Sequence, residues 1–185
     1  MSSSEDCGDL VEALTVTATA GMKEAAGADG TKQEYYELRI YRTTGISRKV
    51  MLEGYLEKAL VPALSRMGLD RIGVFTNMDK QDDRSIYLLI PYPTLQVFSA
   101  VNPTLLADKA YMSAAKDYFA VPQDDPVFTR IHSRFYRAFE EMPVIEIPSQ
   151  TADDQPRIFE LRIYESHTEE KAALKVDMFN SGEIQ

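Results

Sequence analysis

With 185 residues, 44% of them hydrophobic and 26% charged, the chain has the size and composition of one globular domain with appendages rather than of a disordered segment. Its formal net charge of −9 opposes binding to nucleic-acid phosphates and anionic lipid head groups, so neither is expected as a partner. No run approaches the ~18 consecutive apolar residues of a membrane-spanning helix, and the single cysteine, Cys7, leaves no intrachain disulfide and no Cys/His cluster for structural zinc.

Residues 1–33 lack sustained periodicity, are rich in Ser, Thr, Ala and Gly, and read as a flexible leader. Leu10–Leu14 followed by Ala18-Thr19-Ala20 has the outline of an export signal. Glu5, Asp6 and Asp9 stand where such a signal needs positive charge, however, and Glu12 interrupts its apolar run. A cytoplasmic location is therefore expected, with export through a degenerate signal as the alternative.

Tyr35 to Tyr41 alternates strictly, with Tyr36, Leu38 and Ile40 on one face and Tyr35, Glu37, Arg39 and Tyr41 on the other, which predicts a half-buried strand whose apolar side faces a helical layer. After Gly45, Ser47 is placed to cap a helix through Met51, Leu52, Tyr55, Leu56, Ala59, Leu60, Leu64 and Met67, with a kink at Pro62 and a stop at Gly68. Ile72–Asn77 and Ser85–Ile90 read as antiparallel strands flanking the polar hairpin loop Met78–Arg84. Asn102-Pro103 opens a second main helix through Leu105, Leu106, Ala110, Tyr111, Ala114, Ala115, Tyr118 and Phe119, ended by Val121–Pro126. Thr129–Glu140 alternates again as a fourth strand, and Val144–Ile147 adds a short one.

The order β-α-β-β-α-β is that of an α+β, ferredoxin-like unit with both helices on one face of a four-stranded antiparallel sheet. The other face is left for a partner, and dimeric α/β barrels cover it by packing two such sheets face to face, so a homo-oligomer is expected.

Glu37-Leu38-Arg39-Ile40-Tyr41 returns unchanged as Glu160-Leu161-Arg162-Ile163-Tyr164, each preceded by an aromatic, Tyr36 or Phe159. The domain therefore spans 34–148, a polar, proline-bounded linker 149–156, and a partial second repeat 157–185, read as a strand over 157–165 and a helix from Glu169. In this register Gln185 aligns with Pro62, so the second copy ends inside its first helix. The β-α piece then belongs to a fragment, or docks on the first sheet or on another subunit.

Tyr36-Glu37-Leu38-Arg39-Ile40-Tyr41 resembles the opening strand of NIPSNAP domains, and Glu57–Leu64 with Gly68-Leu69 is similar to that family's first helix and its exit. Phe135–Pro143 and Phe159–Asn180 are similar to tandem bacterial members, so the resemblance covers about 34–185. It implies a dimeric α/β-barrel fold assembled from two units, in tandem or between chains. It carries no agreed catalytic motif. Related barrels host cofactor-independent oxygenases and isomerases, which makes that class the enzymatic alternative to a non-catalytic assembly protein.

No phosphate-cradling glycine loop, His-Glu-x-x-His or Gly-x-Ser-x-Gly motif is present, and no cofactor is expected. Asp79, Asp82 and Asp83 lack the spacing and closing glutamate of a calcium loop and read as a solvated turn, so no metal is expected. The polar face of the first strand is expected to join the fourth, bringing Tyr35, Glu37, Arg39 and Tyr41 to His132, Arg134 and Tyr136, with Glu160, Arg162 and Tyr164 repeating the pattern. Two readings remain open: ion pairs and tyrosine packing at a dimer seam, or a cavity for a small organic acid with Arg39 or Arg134 on its carboxylate. His132, whose ordinary pKa of about 6.5 lies near neutrality, is the one candidate for acid–base chemistry. His167 is placed in an exposed turn.

Overall fold

The computed structural model describes residues 33–78, 83–148 and 158–183. The leader with Cys7, the tip of the hairpin with Asp79 and Asp82, and the linker proposed at 149–156 lie outside the described residues.

Four strands, β1 (Tyr35–Thr43), β2 (Gly73–Thr76), β3 (Ser85–Tyr92) and β4 (Phe128–Arg137), form one sheet in the order β2-β3-β1-β4. Every pairing is antiparallel, from Tyr35↔Tyr92 to Arg42↔Ser85 between β1 and β3, and from Tyr35↔Arg137 to Thr43↔Phe128 between β1 and β4. With helices between β1 and β2 and between β3 and β4, this is the ferredoxin-like arrangement read from the sequence.

The first helical stretch consists of α1 (Ile46–Tyr55), one π-helical turn over Leu56–Leu60, and α2 (Val61–Arg66). Leu52, Leu56, Ala59, Leu60, Ala63 and Leu64 recur at helical spacing and are all buried against β3. The π turn has a local cause. Pro62 has no N–H to return to the preceding turn, and Val61 N–H reaches back to the Leu56 carbonyl, so the ladder widens there instead of breaking. Ser47 lies inside the first turn; Gly45 holds the cap position without a side-chain bond. Gly68 ends the stretch with φ +81, while Leu69 N–H donates to the Leu64 carbonyl at 3.1 Å, as a C-terminal glycine cap requires.

The second layer begins earlier than the sequence indicated. Thr94 is the cap, its hydroxyl accepting from Val97 N–H, so α3 (Leu95–Ala107) runs through Asn102 and carries Pro103 in its interior. Asp108 then breaks the run. Its carboxylate accepts from Ala110 and Tyr111 N–H and pairs with Arg66, giving α4 (Lys109–Ala114) and the short α5 (Lys116–Phe119) in place of one helix. Residues 144–147 form no strand. Buried Glu34 instead holds that segment by accepting from Ile145 N–H and pairing with Arg71, which donates to the Ile145 carbonyl.

The expected strand over 157–165 is not formed either: residues 158–166 belong to no sheet, because no edge of the sheet is paired to them. A helix, α6 (Glu169–Met178), does form, capped by Thr168, with a π-helical turn over Phe179–Glu183 after it. Phe159 rests on Phe75 and Phe179 on Phe139, at ring separations of 5.0 and 5.2 Å, while no residue of α6 is buried.

Candidate functional site

The faces of the sheet are reversed relative to the expectation from β1. Tyr41 lies in the core with Ile86, Leu88, Ile90 and Tyr92, and the register puts Tyr35, Glu37 and Arg39 on that same helix-covered side. Tyr36, Leu38 and Ile40 lie on the opposite face, bare of the two helical layers, with Tyr87, Leu89 and Pro91; Leu38 and Pro91 are buried there, and Phe159 packs on Phe75 of the same face. Helices therefore pack over a strand face that carries a charge pair, because that pair is internally neutralised.

Arg39 donates from Nε and one terminal nitrogen to both Glu37 oxygens, at 2.7 and 2.9 Å, and Ser133 and Tyr92 hydroxyls donate to the same carboxylate at 2.7 and 2.9 Å. Burial pushes the Glu37 carboxyl upward, but the bond and charge of Arg39, with the two hydroxyls, outweigh it and hold the group below the usual carboxylate range. Around the pair stand Tyr41, Tyr55, Tyr92, Tyr111 and Tyr118. Tyr55 stacks on Tyr118 at 3.8 Å, and its hydroxyl meets that of Tyr111 at 2.8 Å. Burial raises the phenols of Tyr41, Tyr55, Tyr92 and Tyr118 above their ordinary value. Phe98, Phe119 and Phe135 remain substantially exposed beside this cluster.

Chemically the cluster is quiet. Glu37 is held ionised by three donors, which makes it a weak base, and the raised phenols are not proton donors near neutrality. Among the described residues every buried side-chain nitrogen and oxygen has a hydrogen-bond partner.

The ten candidate residues do not form one site. Tyr35, Glu37, Arg39 and Tyr41 lie beneath the helices, whereas His132, Arg134 and Tyr136 lie on the bare face, opposite Ile40, Leu38 and Tyr36. The cause is register: antiparallel pairing with β1 puts the odd-numbered residues of β4, including Ser133, on the helix side. Glu160, Arg162 and Tyr164 are exposed; Glu160 pairs with Arg162 at 2.8 Å, and Lys175 Nζ stands 4.4 Å from the Tyr164 ring. Sequence reasoning missed Ser133, Tyr92, Tyr55, Tyr111 and Tyr118. The available signal was the opposite-charge pair at i, i+2 in an otherwise aromatic strand.

A polar depression of about 500 Å³ lies at the other end of the bare face, against Ile40, Arg42, Arg84 and Tyr87, and contains none of the candidate residues. Among the described residues no group of three His, Cys, Asp or Glu side chains is placed to hold a metal, and no helix is long and apolar enough to cross a membrane.

No family model matches the chain, and no curated protein is significantly similar to it. Solved structures of similar fold include an uncharacterised NIPSNAP domain protein from Burkholderia xenovorans, 19% identical over 55% of this chain and 91% of that one, TM-score 0.43. A NIPSNAP family protein from Agrobacterium tumefaciens is 15% identical over 60% and 91%, TM-score 0.48. SnoaB, a cofactor-independent oxygenase from Streptomyces nogalater, is 14% identical over 57% and 93%, TM-score 0.40. The ferredoxin-like assignment rests on strand order and connectivity rather than on these likenesses.

Proposed function

We propose that this chain is a NIPSNAP-like assembly protein in which the bare sheet faces of two copies pack together as a dimeric α/β barrel. The observation that carries the reading is the composition of that face: Tyr36, Leu38, Ile40, Tyr87, Leu89 and Pro91 form its centre, none of them charged and all on the side away from the helical core. The helices that follow β1 and β3 pack on the other side, and a second sheet of the same pattern is the simplest cover for this one. A non-catalytic role is further supported by the closed hydrogen bonding of Glu37 and Arg39, and by His132 standing half-buried on the bare face rather than in an enclosed pocket with Arg134.

Sedimentation velocity tests it. Wild type is expected to dimerise with rising concentration, and Leu89→Lys and Tyr136→Asp, both on that face, to weaken the association with unchanged circular dichroism. Dimers unaffected by either substitution would refute the face-to-face reading.

A second reading has its own support. Exposed Phe98 and Phe135, with ring centroids 4.7 Å apart, and exposed Phe119 flank the tyrosine cluster around half-buried Arg39, an aromatic surface suited to a small organic acid or aromatic molecule. Retention of a small molecule in native mass spectrometry, lost in Phe98→Ala/Phe135→Ala, would support it; an unliganded spectrum from freshly purified protein would count against it.

A further inference from the structure

Among the described residues the sheet has two unpaired edges of unequal length. β2 has four residues, whereas β4 has ten, all of them partly or fully exposed. A long unpaired edge strand presents a row of N–H and C=O groups that template the addition of another strand. The chain also carries a segment that fits this edge. Residues 158–166 belong to no strand, and Ile158, Phe159, Leu161 and Ile163 are between 49% and 77% exposed.

Residues 160–164 repeat residues 37–41 of β1, the strand with which β4 already pairs along its whole length. The likeness extends to geometry. Glu160 and Arg162 form the same i, i+2 ion pair as Glu37 and Arg39, at 2.8 against 2.7 Å, as extended backbone with alternating faces allows. Within its own chain the segment does not lie along this edge: its start, Phe159, rests on Phe75 of β2, while its end, Tyr164, packs on Phe179, which meets Phe139 beyond the end of β4, so it runs from one side of the sheet toward the other and pairs with no strand.

We infer that residues 158–166 of one copy add as a fifth strand along the free edge of β4 in a second copy. The helix that follows completes the match. α1 follows β1 and covers the helix side of the sheet; α6 follows the β1-like segment and brings exposed Leu174, Val176 and Met178 to the exposed Ile131 and Phe135 on the helix side of β4. This contact uses the sheet edge rather than the bare face, so it stands independently of the face-to-face proposal.

Hydrogen exchange of the full chain across a concentration series, read with sedimentation velocity, tests it. The β4 amides that point away from β1 should gain protection as dimers form. Leu161→Pro, or Ile163→Pro as a second variant, removes a ladder donor from an exposed segment. Either should abolish that protection and raise the dimer dissociation constant about tenfold without unfolding the domain. Leu89→Lys should leave the edge protection intact. Protection of β4 unchanged in both proline variants, protection moving to β2 instead, or a wild-type protein whose β4 edge stays unprotected at every concentration would each overturn the inference.

Discussion

Arg39 grips both carboxylate oxygens of Glu37 from two positions along the same strand, and the pair lies under the helical layer with Glu37 almost wholly enclosed. An ion pair two residues apart on one strand face cancels its own charge before the helices close over it. Ser133 and Tyr92 then satisfy the remaining carboxylate lone pairs.

The energetic consequence is non-additivity. Arg39→Met strands a carboxylate among tyrosines and should cost about 3 kcal/mol, the low end for breaking a buried pair, because Ser133 and Tyr92 still donate. Glu37→Gln in the Arg39→Met background should then recover part of that loss, with a coupling of about 1 kcal/mol or more in a urea-unfolding cycle. Strictly additive losses would show that the pair is not coupled.

The same pair sets an acid limb. The folded pKa of Glu37 is depressed, so the unfolded chain binds its proton at higher pH than the native chain does. Its stabilisation is present above the unfolded value of about 4.3 and is lost as pH falls through the folded value. Unfolding free energies measured downward from neutrality should fall more steeply in wild type than in Glu37→Gln. Parallel curves would remove Glu37 from the acid response.

At the alkaline end the sign reverses in origin. Burial is the first cause raising the phenols of Tyr55, Tyr92 and Tyr118, followed by the Tyr111 hydroxyl for Tyr55 and the Glu37 charge for Tyr92. Folding thus favours the neutral phenol; the stabilisation is complete below the unfolded value of about 10 and is lost as pH rises above it. Ultraviolet titration of phenolate should show these tyrosines ionising only together with loss of tertiary structure. Full ionisation of all 10 tyrosines in a still-folded protein would contradict the buried cluster.

Much of this architecture was legible in the chain. Alternation located β1 and β4, and the spacing of Leu52, Leu56, Leu60 and Leu64 located the first helical layer, because those periods are direct consequences of backbone geometry. Which side of β1 faces the helices was not legible. Alternation separates two faces without saying which is covered, and here the more polar face is covered because Glu37 and Arg39 neutralise each other. The second helical layer misled for a related reason: Pro103 resembles a helix start, but Thr94 had already capped the helix, and Asp108 ends it by binding the next two N–H groups. The strand expected at 157–165 shows that pattern alone does not make a strand without a partner to complete its ladder.

One glycine provides a simple check on the first layer. Nothing lies within 4 Å of a Cβ built on Gly68, so Gly68→Ala meets no clash and pays only for the left-handed φ of +81, about 1 kcal/mol. Chemical denaturation should show that loss, with Gly68→Asn losing less. Equal stability of the alanine variant would mean that the helix end relaxes to a different cap.

Hydroxyl-radical footprinting across a dilution series addresses the bare face most directly, because it reads side-chain exposure residue by residue. Tyr36, Tyr87, Leu89 and Tyr136 are expected to lose reactivity as concentration rises, while Phe98 and Phe119 on the helix side keep theirs. Constant reactivity of those four residues from the most dilute to the most concentrated sample would show that no second sheet closes over the first.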